Sequence, residues 1–272
     1  MSAVLLALAS AASFGAMTVA IRLGMRGSAA VASLVVAAWG SVVTVVAALP
    51  DHDLRRSWQF FLSGLLAPGC SQILFTLSIL VAGPSRTSVT VGAAPLVALA
   101  IAFLFLGEPV RAPLIVGALA IVAGGAALAS ERDRPAHVRA VGLAYAVGAT
   151  VFFAVRDNII RALHAHANPT SAATATILAG VLVNALWARR RPSATELGRL
   201  APAGVFFGIS YLCLFEAYFR GRVSVVSPLI ATESLWGVAF AALLLRHERV
   251  GGRVALGALL VVAGGALIGT VR

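Results

Sequence analysis

Residues 108–126 are written twice in this chain. Glu108-Pro-Val leads through Gly117-Ala118-Leu119 to Val122-Ala-Gly-Gly-Ala126. After a shift of 140 residues, Glu248-Arg-Val leads through Gly257-Ala258-Leu259 to Val262-Ala-Gly-Gly-Ala266, with ten of nineteen positions identical and no gap. A chain that repeats itself at half its length is two copies of one unit. The earlier parts of the copies echo more weakly, Phe14 and Arg22 matching Phe153 and Arg161 at an offset of 139. The repeat divides the chain into units 1–134 and 135–272.

Neither unit has the residues to face water. The chain is 60% apolar and 11% charged, against roughly 25% charged residues in soluble domains. A membrane-crossing helix needs about 20 mainly apolar residues, and ten such segments can be read. They cover 2–24, 29–49, 58–81, 85–106 and 112–130, then 139–161, 171–188, 201–219, 224–245 and 253–271. Five spans per unit is an odd number, so the second unit enters the membrane from the opposite side. The expected fold is an all-α integral membrane protein of ten transmembrane helices, built as two inverted-topology five-helix repeats.

The formal charge of +11 does not point to nucleic acid. All 21 basic residues are arginine, and nearly all sit between or at the ends of apolar runs, where membrane-flanking loops carry them. The first segment has no basic residue before it, so it reads as a retained span rather than a secretory signal. Cys70 and Cys213 lie inside apolar segments and make no disulfide framework. The five histidines fall in loops or at helix ends, and His164-x-His166 has no Cys or acid near it to complete a metal site. With no glycine-rich phosphate loop and no Ser/His/acid set, the expectation is no enzyme and no cofactor.

Pro95-Leu, Leu106-Gly-Glu108 and Gly117 through Gly125 carry a specific likeness, with Val226-Ser-Pro228-Leu, Glu248 and Gly257 through Gly265 in the second unit. On these residues the chain resembles the drug/metabolite transporter superfamily, in its ten-helix EamA-like branch, over nearly its whole length. There are two departures: Leu235 stands where the first unit has Pro95, and Arg246-His-Glu248 replaces Leu-Gly-Glu. The resemblance implies a multi-pass cell-membrane transporter of a small metabolite, amino acid or drug-like solute, read here as an exporter. It would work without ATP, driven by the substrate gradient or by protons. The resemblance also implies both termini on the cytoplasmic side. The loop arginines oppose this, 13 on the far side against 7 on the side of the termini, where the positive-inside rule would want the excess. Inverted repeats with basic residues on both sides blur that rule, and the expectation stays with the resemblance.

Glu233 is the most informative candidate for solute binding. It lies mid-span, about ten residues from either end of the ninth segment, where an acid costs about 2.5–3.5 kcal/mol on insertion scales and faces a cavity or a partner. Trp236, three residues on, falls within one turn, and the pair can hold an amine or an aromatic group by charge and cation–π contact. Glu216 is a second acid, in the eighth span with Tyr211 and Tyr218, though Arg220 at i+4 offers it an edge salt bridge. In repeat alignment Glu216 matches Thr76, which shares a face with Gln72. Arg156, Asp157 and Asn158 form a charged cluster inside the sixth span. Asp157 can pair with Arg161, and Arg156 either snorkels to the interface or faces a cavity as a cation for an anionic group, with Asn158 beside it. Arg86 is a weaker candidate of that kind. An organic-anion transporter read by Arg86 and Arg156, or a membrane scaffold with no flux, are the alternatives.

Three features read as structural. Glu108 and Glu248 end long spans just before a turn and read as structural residues that pair with Arg111 or Arg249 and position it, the alternative being a proton or substrate carboxylate. The repeated glycines at 117, 124 and 125, and at 257, 264 and 265, allow close helix packing. Pro95 midway along the fourth span and Pro228 near the start of the ninth predict kinks whose places match only partly between the units.

Overall fold

A computed structural model describes residues 2–50, 54–82, 90–129, 140–244 and 252–270. Every regular element among them is helical. In chain order the helices are α1 (Ala3–Gly24), α2 (Ala29–Ala48), α3 (Trp58–Gly64), α4 (Ser71–Ala82), α5 (Ala94–Phe105) and α6 (Ala112–Ala129). The second unit supplies α7 (Ala140–Ala162), α8 (Pro169–Ala188), α9 (Ala194–Arg220), α10 (Val223–Ile230), α11 (Glu233–Leu244) and α12 (Gly252–Gly269). Among the described residues, six helical stretches are long and apolar enough to cross a membrane, and shorter apolar helices lie at Ala94–Phe105, Ala112–Ala127 and Leu259–Ile268.

Local chemistry sets several boundaries. Ser2 caps α1 by accepting from the Leu5 N–H, and Asn168 caps α8 by accepting from Thr170, with Pro169 in the first turn where its missing N–H costs nothing. The α9 helix begins seven residues before the apolar stretch that announces it. Ser193 and Glu196 form a reciprocal capping box there, and Arg190 reaches the same carboxylate, so polar residues open the helix.

Three spans are interrupted. The third changes to a wider π-type turn at Leu65–Cys70, where Ala67 leaves helical geometry (φ −144°, ψ 116°) ahead of Pro68. The fourth and ninth break at Gly92–Ala93 and at Ala231–Thr232. These two breaks are the same structure. Ala93 N–H donates to Thr90 O and Leu96 N–H to Ala93 O, while 139 residues on Thr232 N–H donates to Leu229 O and Leu235 N–H to Thr232 O. The prolines suggest only a partial match because Pro95 follows its break and Pro228 precedes the other. The junctions themselves superimpose by the repeat.

Packing shows the inverted relation directly. The closing helices of the two units, α6 and α12, pack antiparallel, Gly117 against Gly264 and Gly124 against Gly257. A Cβ at Gly117 would lie 2.9 Å from Gly264 O and 2.6 Å from Ile268 Cγ1, and one at Gly124 would lie 2.6 Å from Gly257 O. The repeated glycines therefore meet each other across the boundary between the units. Gly117→Leu should cost about 1–3 kcal/mol by overpacking, whereas Gly198→Leu, with nothing within 4 Å of its Cβ, should cost none. Thermal melts in detergent compare them, and equal melting points would remove this contact from the fold's account.

Candidate functional site

The α7 helix carries the charge cluster on its buried side, where Arg156, Asp157 and Asn158 are all at least nine-tenths buried. Buried charges persist when they are paired and hydrogen-bonded, and each of these is held. Arg156 donates from Nε (2.9 Å) and Nη2 (2.6 Å) to Asp157 Oδ1, and from Nη1 to the Tyr211 hydroxyl at 2.8 Å. Tyr218 donates its O–H to Asp157 Oδ2 at 2.6 Å. The guanidinium also lies 5.3 Å from the Phe153 ring centre and 5.4 Å from that of Tyr211, within cation–π range. Tyr211 and Tyr218, seven residues apart on α9, thus grip the two members of one ion pair.

Asn158 has a different task. Its Nδ2 donates to Ala154 O within α7 and to Ala98 O of α5 at 3.2 Å, and Thr150 Oγ1 donates to Thr90 O at the first helix break. Together they brace the fourth span against α7.

Beside the ion pair is a cavity of about 50 Å³, room for about three to five water molecules at 10–15 Å³ each. Three pairs of its wall residues are related by the repeat. Phe14 matches Phe153, Val91 matches Ile230, and Ala94 matches Glu233, all at an offset of 139, and all six line it. The pseudo-twofold relation between the units therefore passes through this space. Polarity breaks the symmetry: Arg156 stands opposite Met17, Glu233 opposite Ala94, and Ser10 opposite Ala149. Ser10 and Ser210 exchange hydroxyl-to-carbonyl bonds of 2.9 and 3.0 Å, and Ser227 adds a third hydroxyl-bearing residue to the wall. The Glu233 carboxylate, at the first position of α11, makes no hydrogen bond to any described residue.

The EamA-like transporter family model matches residues 1–130 and again 140–270. The chain belongs to the EamA-like transporter family. It is therefore a multi-pass membrane transporter of the drug/metabolite type. A search of curated proteins found no match. A solved protein crystal structure at 19% identity superimposes with a TM-score of 0.85, covering 97% of this chain and 95% of that one, which supports the fold alone.

Of the residues singled out in the sequence, this EamA-like transporter brings Glu233, Arg156, Asp157 and Tyr211 to one cavity. Asn158 sits behind them. The others lie elsewhere. Glu216 forms the salt bridge with Arg220 (2.7 Å) on the half-exposed side of α9. It is five residues, about 140° of helix turn, from Tyr211, so the tyrosines face inward and it does not. Thr76 is tied to Ser33 of α2 (3.0 Å) and to the backbone Gln72 O (2.8 Å), and neither Thr76 nor Gln72 lines the cavity. Trp236 packs against Gly15 of α1 and stacks on Phe240, and Phe14, Phe153 and Tyr211 supply the aromatic wall instead. Asp157 pairs with Arg156 and Tyr218 rather than with Arg161, whose Nη1 donates to Tyr218 O and Phe219 O (3.3 Å each). Arg86 and Glu248 lie outside the described residues.

Ser10 and Ser210 carry little signal in the sequence, as lone serines in apolar spans, and Ser227 stands there only within the Val226-Ser-Pro228-Leu motif. Ser10 is the exception in principle, because its repeat counterpart is Ala149.

Proposed function

We propose that this chain is a secondary transporter that moves a small solute with a basic nitrogen on an aromatic or apolar body. Its two units, 1–134 and 135–272, rock about the cavity between them. The observation that carries the solute class is the contrast between the two charged groups in that cavity. Arg156 already has Asp157 and Tyr211, whereas the Glu233 carboxylate has no hydrogen-bond partner among the described residues. A buried polar group left unmatched is stabilised by the ligand that completes it, and a carboxylate is completed by a cation or a proton. Phe14, Phe153 and Tyr211 would receive the apolar body and add cation–π attraction.

Free volume for only a few waters matches a contracted cavity, so the solute would enter after one unit moves against the other. A proton on Glu233 would take the cation's place on the return, giving exchange of solute against proton. A thermal-shift screen of purified protein tests the class, because a ligand that binds the folded state raises its stability. Aromatic amines and amino acids should raise the melting point while organic phosphates leave it unchanged. Stabilisation by organic phosphates that disappears in Arg156→Ala would replace this reading with an anion transporter.

A further inference from the structure

The Leu-Gly-Glu of the first unit ends α5 in a defined way. Gly107 takes a left-handed conformation (φ +63°), and the Glu108 N–H returns to Ala102 O at 3.3 Å, closing the helix end. A side chain at residue 107 would be strained in that conformation. The turn aims the buried Glu108 carboxylate across to the second unit. There Oε1 accepts from the Val223 N–H (2.7 Å) and Oε2 from the Ser224 N–H (2.8 Å). These are the first two amides of α10, whose own N-cap residue, Arg222, makes no side-chain cap. A carboxylate on free amides at a helix start is favoured by both charge and hydrogen bonding.

The placement gives this cap more reach than an ordinary one. Both α5 and α10 begin or end at the cavity, through Ala94 and Pro95 on one and Ser227 and Ile230 on the other. Both run from there to Glu108, and they pack on each other. The carboxylate therefore ties the far ends of two half-helices that belong to opposite units. We propose that Glu108 is a positioning residue of the transport cycle. Its hold on α10 keeps the cavity closed toward this face, and its release lets α10 swing and open it. The inference rests on the alternating-access reading above but concerns conformation, so it is tested without a solute.

Spin labels on cysteines at Val110 and Arg222, both exposed, report the separation of the two half-helix ends in a protein whose Cys70 and Cys213 are replaced by alanine. Pulsed dipolar spectroscopy should give one short distance when Glu108 is present. In E108Q one amide loses its acceptor, and a longer distance should gain population about tenfold or more, as loss of a hydrogen bond to a charged group implies. V223P attacks the same contact from the other side. Proline is tolerated at the first helical position, so α10 is retained while one donor is removed, and the same longer distance should appear. A single unchanged distance in both variants, with only a lower melting point, would make Glu108 a static cap and overturn the proposal. That result would leave solute binding in the thermal-shift screen untouched, so the two readings fail separately.

Discussion

Asp157→Ala should remove about 3–5 kcal/mol of folding stability, the usual cost of stripping one partner from a buried ion pair, and abolish transport with it. Asp157 accepts both Arg156 bonds on one oxygen and the Tyr218 hydroxyl on the other. Its loss leaves a buried guanidinium with Tyr211 as its one remaining hydrogen-bond partner in this network, and takes the carboxylate acceptor from the buried Tyr218 phenol. Tyr218→Phe removes a single bond to a charged group, so it should cost less, about 1.5–3 kcal/mol. The double variant Arg156→Met/Asp157→Leu separates structure from function. Replacing both charges by apolar groups of similar size should recover much of the stability while the cavity loses its polarity and flux stays absent. Denaturation in detergent and flux in proteoliposomes measure the two quantities. Wild-type stability in Asp157→Ala would mean that the pair does not hold α7 to α9.

The sequence made the architecture legible because the repeat is itself an architectural statement. An odd number of spans per unit forces inversion, and glycines conserved between the copies at 117 and 257, and at 124 and 264, can serve both units by meeting across the boundary. The broken helices were harder to read. A proline marks a bend within a few residues but not the turn where the hydrogen bonding changes, and here the two prolines lie on opposite sides of equivalent breaks. The site was legible in its components and not in its assembly. A charged cluster in a span announces a buried partner, but nothing in the chain says that Arg156 and Asp157, adjacent on α7, pair with each other and are gripped by tyrosines 55 and 61 residues away. Spacing along α9 would have separated its acid from its tyrosines. Glu216 is a third of a turn or more off the face that Tyr211 and Tyr218 share, and that angle alone places it at the rim with Arg220.

Glu233→Gln should behave in the opposite way to Asp157→Ala: stability kept, transport lost. The carboxylate lines the cavity at the start of α11 and accepts no hydrogen bond from a described residue. Its neutralisation therefore breaks no hydrogen bond among the described residues and removes the cost of holding an acid at mid-membrane depth. The melting point of the free protein should stay level or rise. Binding of a cationic solute should weaken about tenfold to a hundredfold, the range for losing a hydrogen bond between charged groups, with flux falling in proportion. If Glu233 also carries the exchanged proton, glutamine cannot release one, and the dependence of flux on pH should flatten across the range where the wild type responds. Counterflow in proteoliposomes at several pH values, alongside melts of the same preparations, measures both effects. Unchanged flux and an unchanged pH profile in Glu233→Gln and Glu233→Ala would take the solute and the proton away from this residue. Stability lost together with flux would instead reveal a structural partner for the carboxylate, and Arg156 would then be the charged group left to meet a solute.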